Sequence, residues 1–184
     1  SQNFDLQTDI PYLFGSNVGA NLNMNIYRQD STFANVKFRP SLYYQLSAKQ
    51  KIGARGNFEI SSVLDDTYTS GQDFSKKGVG VFYELTETSE EPLFVYKTKL
   101  IAELDLLSSY YQNLDKTYQQ NRYYLFAERN FHLKGNHYFN IKAESAMLNS
   151  GGEVTTNELF RIGGYNSLRG FNEQSLYTDF YGFG

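Results

Sequence analysis

"VGANLNMNIYR", Val18 to Arg28, alternates without a break. Val18, Ala20, Leu22, Met24 and Ile26 hold the even positions, and Gly19, Asn21, Asn23, Asn25 and Tyr27 the odd ones. Successive side chains of a β-strand point to opposite faces, so this run has one apolar face and one polar face. Three asparagines in a row are too hydrophilic to pack against a second sheet and suit a wet interior.

The same period of two recurs along the chain. Ala34, Val36, Phe38, Leu42, Tyr44, Leu46 and Ala48 oppose Asn35, Lys37, Arg39, Gln45 and Ser47, with Pro40 interrupting. Ile52, Ala54, Phe58 and Ile60 oppose Arg55, Asn57, Glu59 and Ser61; Val79, Val81, Tyr83 and Leu85 alternate with Gly80, Phe82 and Glu84. Phe94, Tyr96, Leu100, Ala102, Leu104 and Leu106 oppose Lys97, Lys99, Glu103 and Asp105. A less regular run covers Tyr123 to Phe131. In the last, His137, Phe139, Ile141, Ala143 and Met147 face away from Asn140, Lys142 and Glu144. Phe4, Leu6 and Ile10 read as the tail of one more strand. The fold class expected is all-β, with about eight antiparallel strands.

Strands of soluble domains usually have about 5–6 residues, and these reach about 10 or more. Ten residues span roughly 33 Å, and a tilt near 45° leaves a rise of about 23 Å, close to the apolar band of an outer-membrane barrel. Tyr12, Phe14, Tyr27, Tyr43, Tyr110, Tyr111, Tyr123 and Tyr124 fall near strand ends, where interfacial girdles sit. Short connections at Gln50-Lys51, Thr88 to Glu91 and Lys134 to Asn136 alternate with long polar ones at Asp65 to Lys77, Ser108 to Asn121 and Asn149 to Asn157. That pattern puts short turns on the periplasmic side and long loops outside, although Arg28 to Phe33 is short for an external loop. Alternation alone also fits a soluble antiparallel sandwich or barrel; strand length and loop parity favour the transmembrane barrel.

Composition narrows the partners. The 184 residues include 16 Tyr and 15 Phe, no Trp and no Cys, and carry a formal charge of −3. No basic footprint for nucleic acid is present. Without cysteine there are no disulfides and no thiol catalysis. No apolar run approaches the length of a membrane helix, and the polar opening Ser1-Gln2-Asn3 does not read as a signal peptide, so an exported protein is expected here in mature or truncated form. His132 and His137 flank a turn, and Asp65-Asp66 and Glu90-Glu91 read as solvated loop tips. No nucleophile–base–acid spacing is persuasive, so neither an enzyme nor a cofactor is expected.

"NELFRIGGYNSLRGFNEQSLY", Asn157 to Tyr177, is the unusual segment. It is not a dinucleotide or P-loop motif, since it lacks GxGxxG and the GK[ST] ending. Within it, "ELFRIGGYNSLRGF" resembles the signature of the BamA-type superfamily of outer-membrane barrels, which includes assembly factors and two-partner secretion transporters. In that family a glycine pair precedes a hydrophobic-Arg-Gly-Phe tetrapeptide on the sixth external loop, which folds back into the lumen. The matching residues are Gly163 and Gly164, then Leu168, Arg169, Gly170 and Phe171.

The resemblance implies a structural role for them: Arg169 tethers the loop to acidic and aromatic groups of the inner wall. It further implies a sixteen-strand barrel of which residues 1–184 supply about strands four to eleven, with the inward-folding loop at about 149–177. POTRA domains, the terminal strands and the acidic partner of Arg169 would lie outside this chain. The implied function is insertion or export of other proteins in the outer membrane of a Gram-negative bacterium. The implied partners are outer-membrane lipid, unfolded outer-membrane or secreted clients and accessory lipoproteins. The alternatives are a two-partner secretion pore for one dedicated substrate, and a passive porin or receptor barrel.

Overall fold

The structure, a computed structural model, describes residues 2–29, 32–64, 72–90, 93–135, 137–164, 172 and 175–184. Eleven strands follow in chain order: β1 (Gln2–Ile10), β2 (Val18–Gln29), β3 (Phe33–Ser47), β4 (Gln50–Val63), β5 (Phe74–Thr88), β6 (Tyr96–Tyr111), β7 (Lys116–Lys134), β8 (His137–Ser150), β9 (Phe160–Ile162), β10 (Leu176–Thr178) and β11 (Phe180–Phe183). No α-helix occurs among the described residues, only two three-residue 3₁₀ turns, at Leu13–Gly15 and Thr156–Glu158. β1 to β8 run as an up-and-down meander, and β11 adds to β8, giving one antiparallel sheet of nine strands. The sheet is not closed: β1 and β11 stand at its edges. β9 and β10 pair with each other as a separate small hairpin.

Register carries the alternation across the whole sheet. Asn23 faces Arg39, Lys37 faces Glu59, and Arg55, Gly80, Asp105 and Arg122 form one continuous row over four strands. Every polar face falls on one side. Asn3 of β1 and Leu148 of β8 border the same recess, so the sheet curls with that side inward. Burial is then the reverse of a soluble domain. Asn35, Asn57, Glu59, Ser61, Lys76, Asp105, Ser109 and Gln120 are buried, whereas Val36, Phe38, Leu42, Ile60, Val79, Val81, Leu106, Phe139 and Ile141 are exposed on the outer face. Val79 retains 65% of its accessible surface and Asp105 only 1%.

Several details differ from the sequence expectation. Ser108 to Asn121 is not a long loop: β6 continues to Tyr111, β7 starts at Lys116, and only Gln112 to Asp115 connect them. Of the polar residues that read as loop, Ser109 and Gln120 are inner-face positions buried beneath a later segment. The β3–β4 turn is at Ala48-Lys49, two residues before the expected place, and the β5–β6 connection is longer than expected, Ser89 to Val95. Of the tyrosines assigned to a girdle, Tyr27, Tyr43, Tyr111 and Tyr124 take inner-face registers alongside Asn35, Gly53, Phe74 and Glu103 respectively. Asp65-Asp66 and Glu91 lie outside the described residues.

Candidate functional site

The inner face of β4 to β7 carries a charged cluster built around Asp105. Its Oδ1 accepts from Arg55 Nε at 2.8 Å and from Asn57 Nδ2 at 3.0 Å, and its Oδ2 accepts from Arg122 Nε and Nη2 at 2.9 and 2.8 Å. Arg55 also donates to Glu103 at 2.6 Å. A buried carboxylate is stable only when its charge and lone pairs are met, and two guanidiniums and an amide meet them here. β5 lies between Arg55 and Asp105, and the interposed residue is Gly80. A Cβ at that position would collide with the Asp105 carboxylate, so the absence of a side chain is what lets the pair cross a strand. The interior charges expected from parity fall on this face, and Lys37–Glu59 at 3.2 Å is a direct cross-strand pair.

Above this cluster the segment after β8 turns back onto the inner face. Thr155 caps the turn at Thr156–Glu158 with a reciprocal capping box, which fixes the direction of the Glu158 side chain. Glu158 then pairs with Lys76 Nζ at 2.8 Å, with both side chains buried. It also accepts from Ser109 Oγ and Gln120 Nε2, each at 3.2 Å, and from the Tyr111 hydroxyl. Burial alone would raise the pKa of Glu158. The Lys76 ammonium, with the hydrogen bonds from Lys76, Tyr111 and the Thr155 amide, overcomes that and holds it below the usual carboxylate range. Next to it, buried Asn157 donates to Ser61 Oγ at 2.7 Å and to the Gln72 carbonyl at 2.8 Å, and its own carbonyl accepts from Asn35 at 3.1 Å. Arg161 Cζ lies over the ring of Tyr27, 3.9 Å from its centroid, with the Phe33 centroid at 5.0 Å. Tyr177 of β10 reaches Gln29 of β2 at 3.0 Å. The segment is therefore pinned to β2 through β7.

Of the residues singled out in the sequence, Gly163 and Gly164 directly follow β9 with φ of 117° and 99°, a region that side-chain-bearing residues rarely adopt. A Cβ on Gly163 would also meet the carbonyl of Asn172 at 2.5 Å. Leu168, Arg169, Gly170 and Phe171 lie outside the described residues. The pinning residues Asn157, Glu158 and Arg161 were not singled out, although Thr155-x-x-Glu158 is a sequence-readable capping box. His132 Nε2 donates to the Gly135 carbonyl at 2.8 Å and the ring stacks on Tyr138, as a turn residue does.

The fold and this face define a class: an all-β chain whose long antiparallel sheet buries charge and exposes hydrocarbon. No protein-family model, curated protein or solved structure matches the chain.

Proposed function

We propose that this sheet is part of the wall of a transmembrane β-barrel of the BamA type, in the outer membrane of a Gram-negative bacterium, and that the barrel inserts or exports other proteins. The observation that carries the reading is the inverted burial: apolar side chains line the outer face of β2 to β8, and ion pairs are buried on the inner one. Lipid is the solvent in which that distribution is stable. In lipid the open edges of β1 and β11 require pairing, by further strands or a second copy. The insertase reading adds the resemblance of residues 158–171 to the family signature, and the return of the segment after β8 onto the inner face is what that resemblance implies. Arg169 would then add a tether to those made by Glu158 and Arg161. The clients would be unfolded outer-membrane or secreted proteins that pair with an exposed strand edge, assisted by accessory lipoproteins.

The test is reconstitution of the full-length protein into liposomes, followed by addition of a urea-unfolded outer-membrane protein. Acceleration of client folding over empty liposomes, read by heat-dependent gel mobility and protease protection, supports an insertase. Ion conductance without acceleration identifies a passive porin, and export of one dedicated substrate identifies a secretion pore. A protein that stays monodisperse in buffer without detergent overturns the membrane reading.

A further inference from the structure

Five interior cations of this wall have close carboxylate partners, and Lys99 and Lys142 lie over the ring of Phe126. Lys37 holds Glu59, Lys51 holds Glu84, Arg55 holds Glu103 and Asp105, Lys76 holds Glu158, and Arg122 holds Asp105. Arg39 shares their face and has no ion-pair or hydrogen-bond partner among the described residues. Its surroundings are equally distinct. Gln7, Asn23 and Arg39 stand in one row across β1, β2 and β3, with Asn21 and Ser41 in the next row. The side chains of Gln7, Asn21 and Asn23 also have no partner among the described residues, and Ser41 makes only a 3.4 Å bond to the Asn21 carbonyl. These groups border a recess of ≈ 180 Å³. The β3–β4 pairing lapses opposite it, at Arg39 and Pro40, where proline has no N–H to give. Two carboxylates, Glu84 and Glu103, line the recess and are held by Lys51 and Arg55; nearby, Glu59 is held by Lys37, and Asp9 accepts from the Tyr43 hydroxyl at 3.2 Å.

We infer that Arg39, with Gln7, Asn21, Asn23 and Ser41, forms an anion site on the inner wall that takes a carboxylate. A guanidinium presents two parallel N–H donors that match a carboxylate, and side-chain amides supply further donors without adding charge. The source of that carboxylate, an acidic side chain on an extended client polypeptide, rests on the proposed function; the anion site does not.

The experiment is arginine labelling of the intact, detergent-solubilised protein with phenylglyoxal, read residue by residue by mass spectrometry. Arg39 is expected to react faster than Arg55 and Arg122, which are held by carboxylates. A pentapeptide with a central glutamate slows labelling of Arg39 about tenfold at roughly ten times its dissociation constant, and its glutamine counterpart does not. Asn23→Ala, which leaves Arg39 in place, weakens that protection. Acetate protecting where the glutamate peptide fails keeps the anion site and overturns the polypeptide as its source. Equal protection by the glutamine peptide, no protection by either anion, or an Arg39 no more reactive than Arg55 overturns the site. The readout needs neither client nor membrane insertion, so it fails or succeeds independently of the insertase assay.

Discussion

At Gly80 one missing side chain decides how three charges meet. Arg55 and Asp105 sit two strands apart, and the row between them is empty only because residue 80 has no Cβ. Gly80→Ala pushes a methyl group into the Asp105 carboxylate, and overpacking of this kind costs about 1–3 kcal/mol. Asp105→Asn leaves the space intact and removes the charge, leaving Arg55 with Glu103 and Arg122 with the Asn57 amide oxygen. Losing one partner of a buried pair costs about 3–5 kcal/mol, so D105N is expected to be the more damaging variant. Urea unfolding of the two variants in detergent micelles ranks them; equal midpoints would show that Asp105 acts through packing rather than charge. The charges themselves were legible in the sequence, because strand parity alone placed Arg55, Glu59 and Glu103 on the polar face. Gly80 was not, since its role depends on a register between β4, β5 and β6 that no single strand encodes.

β6, β7 and the segment after β8 form the next scale, where one buried carboxylate joins three elements. Sequence reading ended β6 early because Ser108, Ser109 and Gln119-Gln120 look like a solvated loop. Ser109 and Gln120 line the face covered by Glu158, where a polar cover selects polar residues on the strands below, and Ser108 and Gln119 lie on the outer face near the strand ends, which is polar as well. Periodicity of two survives there, but its contrast does not. Glu158→Gln keeps the shape and removes the charge that Lys76 and Tyr111 address. A hydrogen bond to a charged group contributes about 1.5–3 kcal/mol, so amide exchange over residues 155–162 is expected to accelerate roughly 10- to 100-fold. Acid has the same effect on the unaltered protein, and its sign follows from the lowered pKa. Glu158 stabilises the docked segment fully above the ordinary glutamate range, near 4.5, and that contribution is lost as pH falls below it through the depressed folded value. Exchange at residues 155–162, corrected for intrinsic rates, is expected to rise below about pH 4.5 in the parent protein and to stay flat in E158Q. Identical pH profiles would assign the acid response to another group.

On the scale of the whole molecule, the outer face of β5 to β7 turns from apolar to polar toward the Gln112 to Asp115 end, and the proposed membrane wall can be tested on that change. The outward row of Val81 and Leu104 continues to Tyr123, whereas the row of Lys77 and Ser108 continues to Gln119, nearer the Gln112 to Asp115 turn. An apolar band therefore gives way to a polar collar before the strands end, as expected where strands leave hydrocarbon for water. A charge placed at each level reports the solvent. In lipid, arginine at the bilayer midplane costs about 2–4 kcal/mol and near the interface about 0–1 kcal/mol. Val81→Arg is expected to lower the urea midpoint of folding into phospholipid vesicles by the larger amount, and Gln119→Arg to leave it nearly unchanged. For a sheet bathed in water both substitutions sit on an exposed face, where changes stay within about 0.5 kcal/mol. The two solvents thus give different answers for one residue, since Val81 is 54% exposed in either case. A large Val81 penalty with a negligible Gln119 penalty places the band in hydrocarbon, and two small penalties remove the membrane from the account.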